Sequence, residues 1–227
     1  MINMPGGLVV LTGLGAWQVS GGSQTAPITP DNQTATPQAY NGCHQHLQPI
    51  AINYDILYIQ QKGSIVRDLA YNFFVNIYTG TDMTLISNHL FANKQLVSWG
   101  WAEEPFKIVW CVRDDGVVLS FTFLKEQDIY GWARHDTNGL FKNVCIVSEG
   151  SVNAPYFIVR RFIKGANEGA GAWAYYSERM DSRLWESVEQ AWCVDAGLAY
   201  PMGSPAAELS ADTATGNSVV GSVEVVY

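Results

Sequence analysis

Cys43-His44-x-His46 places three side chains of metal-ligand type within four residues. A thiolate and two imidazoles suit zinc, but the C-H-x-H spacing matches no common zinc pattern and no second ligand pair stands nearby. These residues read as polar loop positions, and no metal is expected. His89 and His135 stand singly and read as hydrogen-bonded histidines. Paired carboxylates form the next group: Glu103-Glu104, Asp114-Asp115, and Glu126 with Asp128. Two carboxyls about 5 or 9 Å apart across a glycosidic bond hydrolyse it, and 8 Trp, 11 Tyr and 9 Phe offer rings for a sugar. Against this, Asp114-Asp115-Gly116 is accounted for as turn chemistry, and Glu103-Glu104 precedes Pro105 in a segment between strands.

No G-x-S-x-G elbow is present for a serine nucleophile. Gly13-Leu14-Gly15 and Gly169-Ala170-Gly171 lack the strand-to-helix context of a nucleotide site. Arg160-Arg161-x-x-Lys164 is the one dense basic cluster; it either meets phosphate or an acidic partner, or forms a hairpin arm with one Arg facing out. Trp99, Trp101, Trp110, Trp132 and Trp173 read as core between sheets. No catalytic residue, cofactor site or metal site is assigned.

Whatever these residues do, β-structure must position them. Leu8–Thr12 runs through Gly13-Leu14-Gly15 into Ala16–Val19. Ile56–Gln60 runs through Gln61-Lys62-Gly63 into Ile65–Leu69. Ile108–Val112 runs through Asp114-Asp115-Gly116 into Val117–Phe121. Tyr156–Arg160 opens a fourth unit, whose turn near Lys164-Gly165 is lengthened before Trp173–Tyr176. β-Branched and aromatic residues suit a pleated, half-buried surface, and Asp115-Gly116 is the strongest tight-hairpin signal.

Aligning Val9, Leu57, Val109 and Phe157 gives spacings of 48, 52 and 48 residues. A period near ~45–50 residues with several strands per unit is the signature of propeller blades. The fold expected is therefore all-β, a partial propeller-like array of about four blade-like units; a β-sandwich is the alternative. Further strands are expected at Leu96–Trp101, Phe121–Leu124, Ile129–His135 and Phe141–Val147. Short helices are expected at Met83–Phe91, capped by Asp82 with Met83, Ile86 and Leu90 on one face, and at Arg183–Ala191. The polar stretch Ser20–Gln48 reads as a long ordered loop. Residues 1–199 form the incomplete propeller-like core, and 200–227 the start of a small β domain.

The chain has 227 residues, 48% of them hydrophobic and 15% charged, against about 25% charged in ordinary soluble domains. It can bury a core, and its sparse charge implies surface covered by a partner. The net charge of −8 is unevenly placed: residues 1–61 hold no Lys or Arg, whereas all 13 basic residues fall within 62–183. Nothing forms the basic stripe that drives tight nucleic-acid or anionic-membrane binding. No run reaches the ~18 apolar residues of a membrane span, and the glycines within Leu8–Val19 argue against a signal peptide. Cys111 and Cys145 lie in apolar runs and read as buried small hydrophobes. Four cysteines without a C-x-x-C pair fit manufacture in a reducing compartment.

Several blocks resemble a known family. They are Asp55–Gln60; Ser64-x-Val66-Arg67-Asp68-Leu69-Ala70-Tyr71; Tyr78-Thr79-Gly80-x-Asp82-x-Thr84; and His89-Leu90-Phe91. Further along stand Trp110–Gly116, Glu126-Gln127, Gly131-Trp132-x-Arg134-His135-Asp136-Thr137, Glu178-Arg179 and Val194–Leu198. In order over most of residues 8–200, they resemble the tail nozzle, or tail tubular protein B, of short-tailed bacteriophages, to which packaged-DNA stabilisation proteins are related. The resemblance implies a propeller-like platform with inserted β domains and a virion structural role in the tail, without catalysis or cofactor. It implies other nozzle subunits in a ring, tail adaptor and portal proteins, and passing DNA as partners, with no membrane. Nozzle proteins carry more chain before the first hairpin and continue past residue 227, so the chain is expected to be a truncated member. The alternative function is a propeller-type glycan-binding protein or glycoside hydrolase; a third is a general protein-interaction platform.

Overall fold

The computed structural model describes residues 1–4, 6–22, 26–164, 170–185, 187–188 and 195–197, and the backbone of 224–225. Four sheets follow one another along the chain. Sheet 1 comprises β1 (Ile2–Met4), β2 (Gly7–Leu11), β3 (Ala16–Ser20) and β4 (Thr34–Ala39). Sheet 2 comprises β5 (Ile50–Ile52), β6 (Asp55–Ile59), β7 (Val66–Asn72) and β8 (Ile77–Thr79). Sheet 3 comprises β9 (Leu96–Ala102), β10 (Ile108–Arg113), β11 (Val118–Leu124) and β12 (Ile129–His135). Sheet 4 comprises β13 (Leu140–Glu149), β14 (Val152–Ile163) and β15 (Ala172–Met180), with β16 (Glu224–Val225) pairing parallel to the end of β15. All other strand neighbours are antiparallel and consecutive, so each unit is a meander.

The all-β, propeller-like expectation holds, and Val9, Leu57, Val109 and Phe157 each lie on the second strand of a sheet. The alignment slips by one residue between the second and third units. Val9 and Leu57 face the following sheet, whereas Val109 and Phe157 face the preceding one. Side chains alternate with period two, so a one-residue slip reverses every face.

That alternation builds the core. On β6, Ile56 and Tyr58 pack toward sheet 1 with Val9 and Ala16, while Leu57 and Ile59 pack toward sheet 3 with Val109 and Phe121. On β10, Val109 and Cys111 face sheet 2, while Ile108, Trp110 and Val112 meet Phe141, Phe157 and Val159 of sheet 4. Sheets 2 and 3 are thus covered on both faces, which is why their second strands read as unbroken apolar runs. Each such side chain contributes about 1.5–3 kcal/mol on burial.

Polar ties fix the sheets to one another. The Cys43 and Tyr78 amides donate across sheets 1 and 2 to Thr12 O and Gln38 Oε1, each at 2.8 Å. The Trp99 and Trp132 indoles reach Gln48 O and Met83 O, each at 2.8 Å. Val144 N donates to Ser98 Oγ at 3.2 Å between sheets 3 and 4. Gly100 lets β9 approach β13: a Cβ there would stand 2.7 Å from Ile146 Cγ1.

Three sequence expectations need correction. No α-helix forms over 83–91, where the only helical piece is the single 3-10 turn Asn88–Leu90. Asp82 Oδ1 instead accepts from the Thr84 amide and hydroxyl at 2.8 and 2.6 Å, closing a turn on itself. Met83 N donates to Val66 O, and the bonds from Ser87, Leu90 and Phe91 run back three residues, forming turns that leave Ile86 95% exposed. Ser20–Gln48 is not all loop, because Thr34–Ala39 is the edge strand β4. Its first four residues are exposed and only Ala39 touches the core, so the strand shows no apolar alternation, and Pro37 is tolerated on an edge. Cys145 is exposed, unlike Cys111, which is fully buried. The helix expected at Arg183–Ala191 and the second domain expected over 200–227 lie largely outside the described residues.

Candidate functional site

The residue types offered by the sequence for chemistry are mostly fasteners. Cys43 is buried beside sheet 2, and His44 N donates to Ile59 O at 2.8 Å. The His46 amide donates to His44 Nδ1 at 3.3 Å, so one imidazole lone pair is taken by its own turn. Burial pushes the Cys43 thiol pKa up, away from the thiolate a metal needs. Among the described residues no three His, Cys, Asp or Glu side chains cluster as metal ligands.

The carboxylate pairs separate. Asp115 receives Arg113 Nε and Nη2 at 2.9 and 2.5 Å, with Lys94 Nζ at 3.5 Å. The hydrogen-bonded Arg113 guanidinium holds the Asp115 carboxyl below the usual carboxylate range. Arg113 Nη1 also donates to Leu90 O, so the pair clamps the 82–91 turns to the third hairpin. Glu103 and Glu104 donate their amides to Asn153 Oδ1 at 3.1 and 2.8 Å, which anchors their backbone to sheet 4. Glu126 meets Lys107 at 3.3 Å on the surface, and Asp128 ends a short turn in the left-handed region.

His135 Nε2 lies 2.8 Å from Ser120 Oγ, under the Trp110 ring. Burial, with Arg183 nearby, holds its pKa below the ordinary imidazole value. Ser120 is itself buried, so this pair reads as a core fastening. The Arg160-Arg161 alternatives resolve by strand parity. Arg161 turns inward to Glu178, with Nε–Oε1 at 2.5 Å and Nη2–Oε2 at 2.8 Å, and its Nη1 reaches Asn138 O and Asp195. Arg160 turns outward, its guanidinium 4.5 Å from the Trp173 ring centroid and 5.9 Å from that of Tyr175.

An open propeller-like array leaves uncovered faces at its two ends, and the structure gives the residues of those faces among the described ones. Opposite the packed face of sheet 1, Leu8 pairs with Val19, Val10 with Trp17, and Trp17 with Pro37, all projecting one way and none charged. Trp17 remains 38% exposed there. Opposite the packed face of sheet 4 stand Ile158, Arg160, Phe162, Trp173 and Tyr175, with Trp173 48% and Tyr175 63% exposed. Among the described residues, no core cluster joins sheet 1 to sheet 4. The signal lay in the outward parity of these strands, where Leu8, Val10, Trp17 and Val19, and Ile158, Phe162, Trp173 and Tyr175, are apolar or aromatic. Trp173, read as core, belongs to an open face. In comparisons with known proteins, no protein-family model and no curated protein matches this chain.

Proposed function

We propose that this chain is a virion structural protein of a short-tailed bacteriophage, part of the tail nozzle that extends the DNA exit channel and helps retain packaged DNA. It acts by position rather than by catalysis, resides in the virion tail, and contacts other nozzle subunits in a ring, the tail adaptor and the portal. DNA passes without sequence-specific binding. The net charge of −8 supports free passage, because phosphate attraction to a basic lining would retard the strand.

The observation that carries the reading is where the family-like blocks meet. Thr137 Oγ1, from the Gly131–Thr137 block, donates to Asp195 Oδ1 of the Val194–Leu198 block. Asp195 in turn accepts from Arg161, whose other side grips Glu178 of a third block. Blocks far apart in sequence therefore converge on one buried-to-surface network that fixes sheet 4, as expected of an architectural family signature. The test is to remove the reading frame from its phage and examine the particles. The reading expects heads that package DNA but lose it, restored by supplying the chain, and the chain itself in purified tails. DNA-filled, infectious particles without it would refute the reading.

A further inference from the structure

We infer that the cleft between the hairpin turns of sheets 1 and 2 binds a uronic acid residue of an acidic polysaccharide. The inference stands on this cleft alone and goes beyond the tail reading above. The cleft encloses about 250 Å³ and is lined by Leu14, Tyr40, Gln60, Gln61, Lys62 and Ser64, together with glycine backbone. Three segments form its walls: the β2–β3 turn, the chain leaving β4, and the β6–β7 turn. Backbone bonds fasten these walls to one another. Cys43 N donates to Thr12 O at 2.8 Å, Gln61 N to Gly42 O at 2.9 Å, and Gln60 N to Ile65 O at 2.8 Å. Gly42 packs so closely that a Cβ there would stand 1.8 Å from Gly13 O. The cleft is therefore preformed, as small-ligand sites usually are.

The chemistry of the lining selects the ligand. Gln60 Oε1 is buried and, among the described residues, has no hydrogen-bond partner. A buried acceptor left unpaired is costly, so this one favours a ligand that brings a donor. Sugar hydroxyls donate and also accept, so they match both ends of the Gln60 and Gln61 amides. A sulfate or a phosphate dianion brings acceptors only and leaves Oε1 unpaired. Tyr40, 83% exposed, offers its ring face to the C–H side of a pyranose. Lys62 supplies the charge, and among the described residues it has no carboxylate partner. Its surroundings reinforce it. Asp31 and Asp55 are the only acids in residues 1–61, and neither lines the cleft. Asp55 opens β6 whereas Gln60 follows its end, about 17 Å away along the strand. The local field at the cleft is thus positive in a chain of net charge −8, and it draws a carboxylate in. The volume lies below the ~300–1,000 Å³ of drug-sized pockets, which suits a single sugar ring. One ring bearing hydroxyls and a carboxylate satisfies the acceptor, the aromatic and the cation together.

The experiment is an NMR titration of the full chain with trigalacturonate, with its methyl ester as the uncharged twin, and with triglutamate as an acidic peptide. A one-ring site is expected to bind trigalacturonate with a Kd of about 1 mM. The ester should bind about tenfold more weakly, through loss of one charge-assisted contact. Lys62→Gln should erase that preference and leave ester binding unchanged, whereas a lysine with only a structural role would shift both sugars or neither. Tyr40→Ala should weaken both sugars alike, by about fivefold or more. Gln60→Leu should abolish binding without lowering the thermal midpoint, since it removes the unpaired acceptor. Tyr40 and Lys62 are exposed, so their variants decide the matter if Gln60→Leu fails to fold by circular dichroism. The inference is overturned if trigalacturonate gives no saturable shift up to about 20 mM, or if acid and ester bind equally. It is also overturned if Lys62→Gln keeps the preference, or if triglutamate binds as tightly as trigalacturonate. A uronate-binding chain never found in tails would refute the tail reading alone.

Discussion

Glu178→Gln is expected to be among the costliest conservative changes in this protein. Glu178 is 2% exposed, and both its oxygens accept from Arg161, at 2.5 and 2.8 Å. The Arg161 side chain is itself only 12% exposed, so the two charges compensate one another away from water. An amide keeps the shape, yet turns an NH2 toward the guanidinium fork and removes the compensating charge. Breaking a buried pair by losing one partner costs about 3–5 kcal/mol. Asp195, 3.1 Å from Arg161 Nη1 and 41% exposed, keeps part of the attraction, so a loss of about 2–4 kcal/mol is expected. A stacked array need not unfold in one step, so the assay is amide-exchange protection in β14 and β15, with β6 and β7 as the internal reference. The double variant Arg161→Met with Glu178→Gln removes both charges, and it should recover at least about 1 kcal/mol relative to the sum of the single losses. A Glu178→Gln loss below about 1 kcal/mol, or strict additivity in the double variant, would refute the argument.

Other expectations follow from the same geometry. His135 has its folded pKa held below the ordinary value of 6.5. The unfolded chain therefore takes up this proton first on acidification: the stability is present above about pH 6.5 and falls as pH drops toward the folded pKa. Thermal melting between pH 7.5 and 5 should show a shallower decline in His135→Asn, and an unchanged slope would sink the assignment. Asp68 is buried, and desolvation pushes its carboxyl pKa up. Asp68→Asn keeps an acceptor for Thr81 N and leaves Lys125 its bond to Asp55. Stability at neutral pH should hold or rise, and a loss beyond about 1 kcal/mol in denaturant titration would contradict this. Gly116 has φ +86, and a Cβ there would stand 2.8–3.0 Å from Leu140 atoms. Gly116→Ala should cost about 2–4 kcal/mol, from left-handed strain and overpacking together. Gly150→Ala, at φ +58 in open space, should cost only the strain of about 1–2 kcal/mol; equal losses would show that Leu140 gives way.

How much of the fold is legible follows from strand length and cover. The long central strands announce themselves because both parities are apolar, as in Ile108–Val112. The three-residue strands Ile2–Met4, Ile50–Ile52 and Ile77–Thr79 are too short to show a period. β4 is invisible for another reason: it is an edge strand with only Ala39 against the core, so it needs no apolar pattern. The apparent helix over 83–91 illustrates a local competitor winning: Asp82 satisfies the Thr84 amide at once, and Val66 O draws Met83 onto sheet 2. Apolar residues at helical spacing then have no helix to sit on.

The candidate site was harder to read, because parity must be known before a face can be assigned. Arg160 and Arg161 are adjacent in sequence and alike in chemistry, yet one is spent on Glu178 inside and the other sits over the Trp173 ring outside. Composition cannot separate them; the register of Phe157 against Glu178 does. The same register exposes what the period alone concealed. A repeat of about four units looks like an incomplete ring only if its ends are compared as surfaces. Sheets 1 and 4 continue the two-faced alternation of sheets 2 and 3 beyond the last described contact, and a sequence that intended solvent there would have placed charges at Leu8, Val10, Trp17 and Ile158, as edge-protecting proteins do. Among the described residues, no core cluster covers those apolar positions.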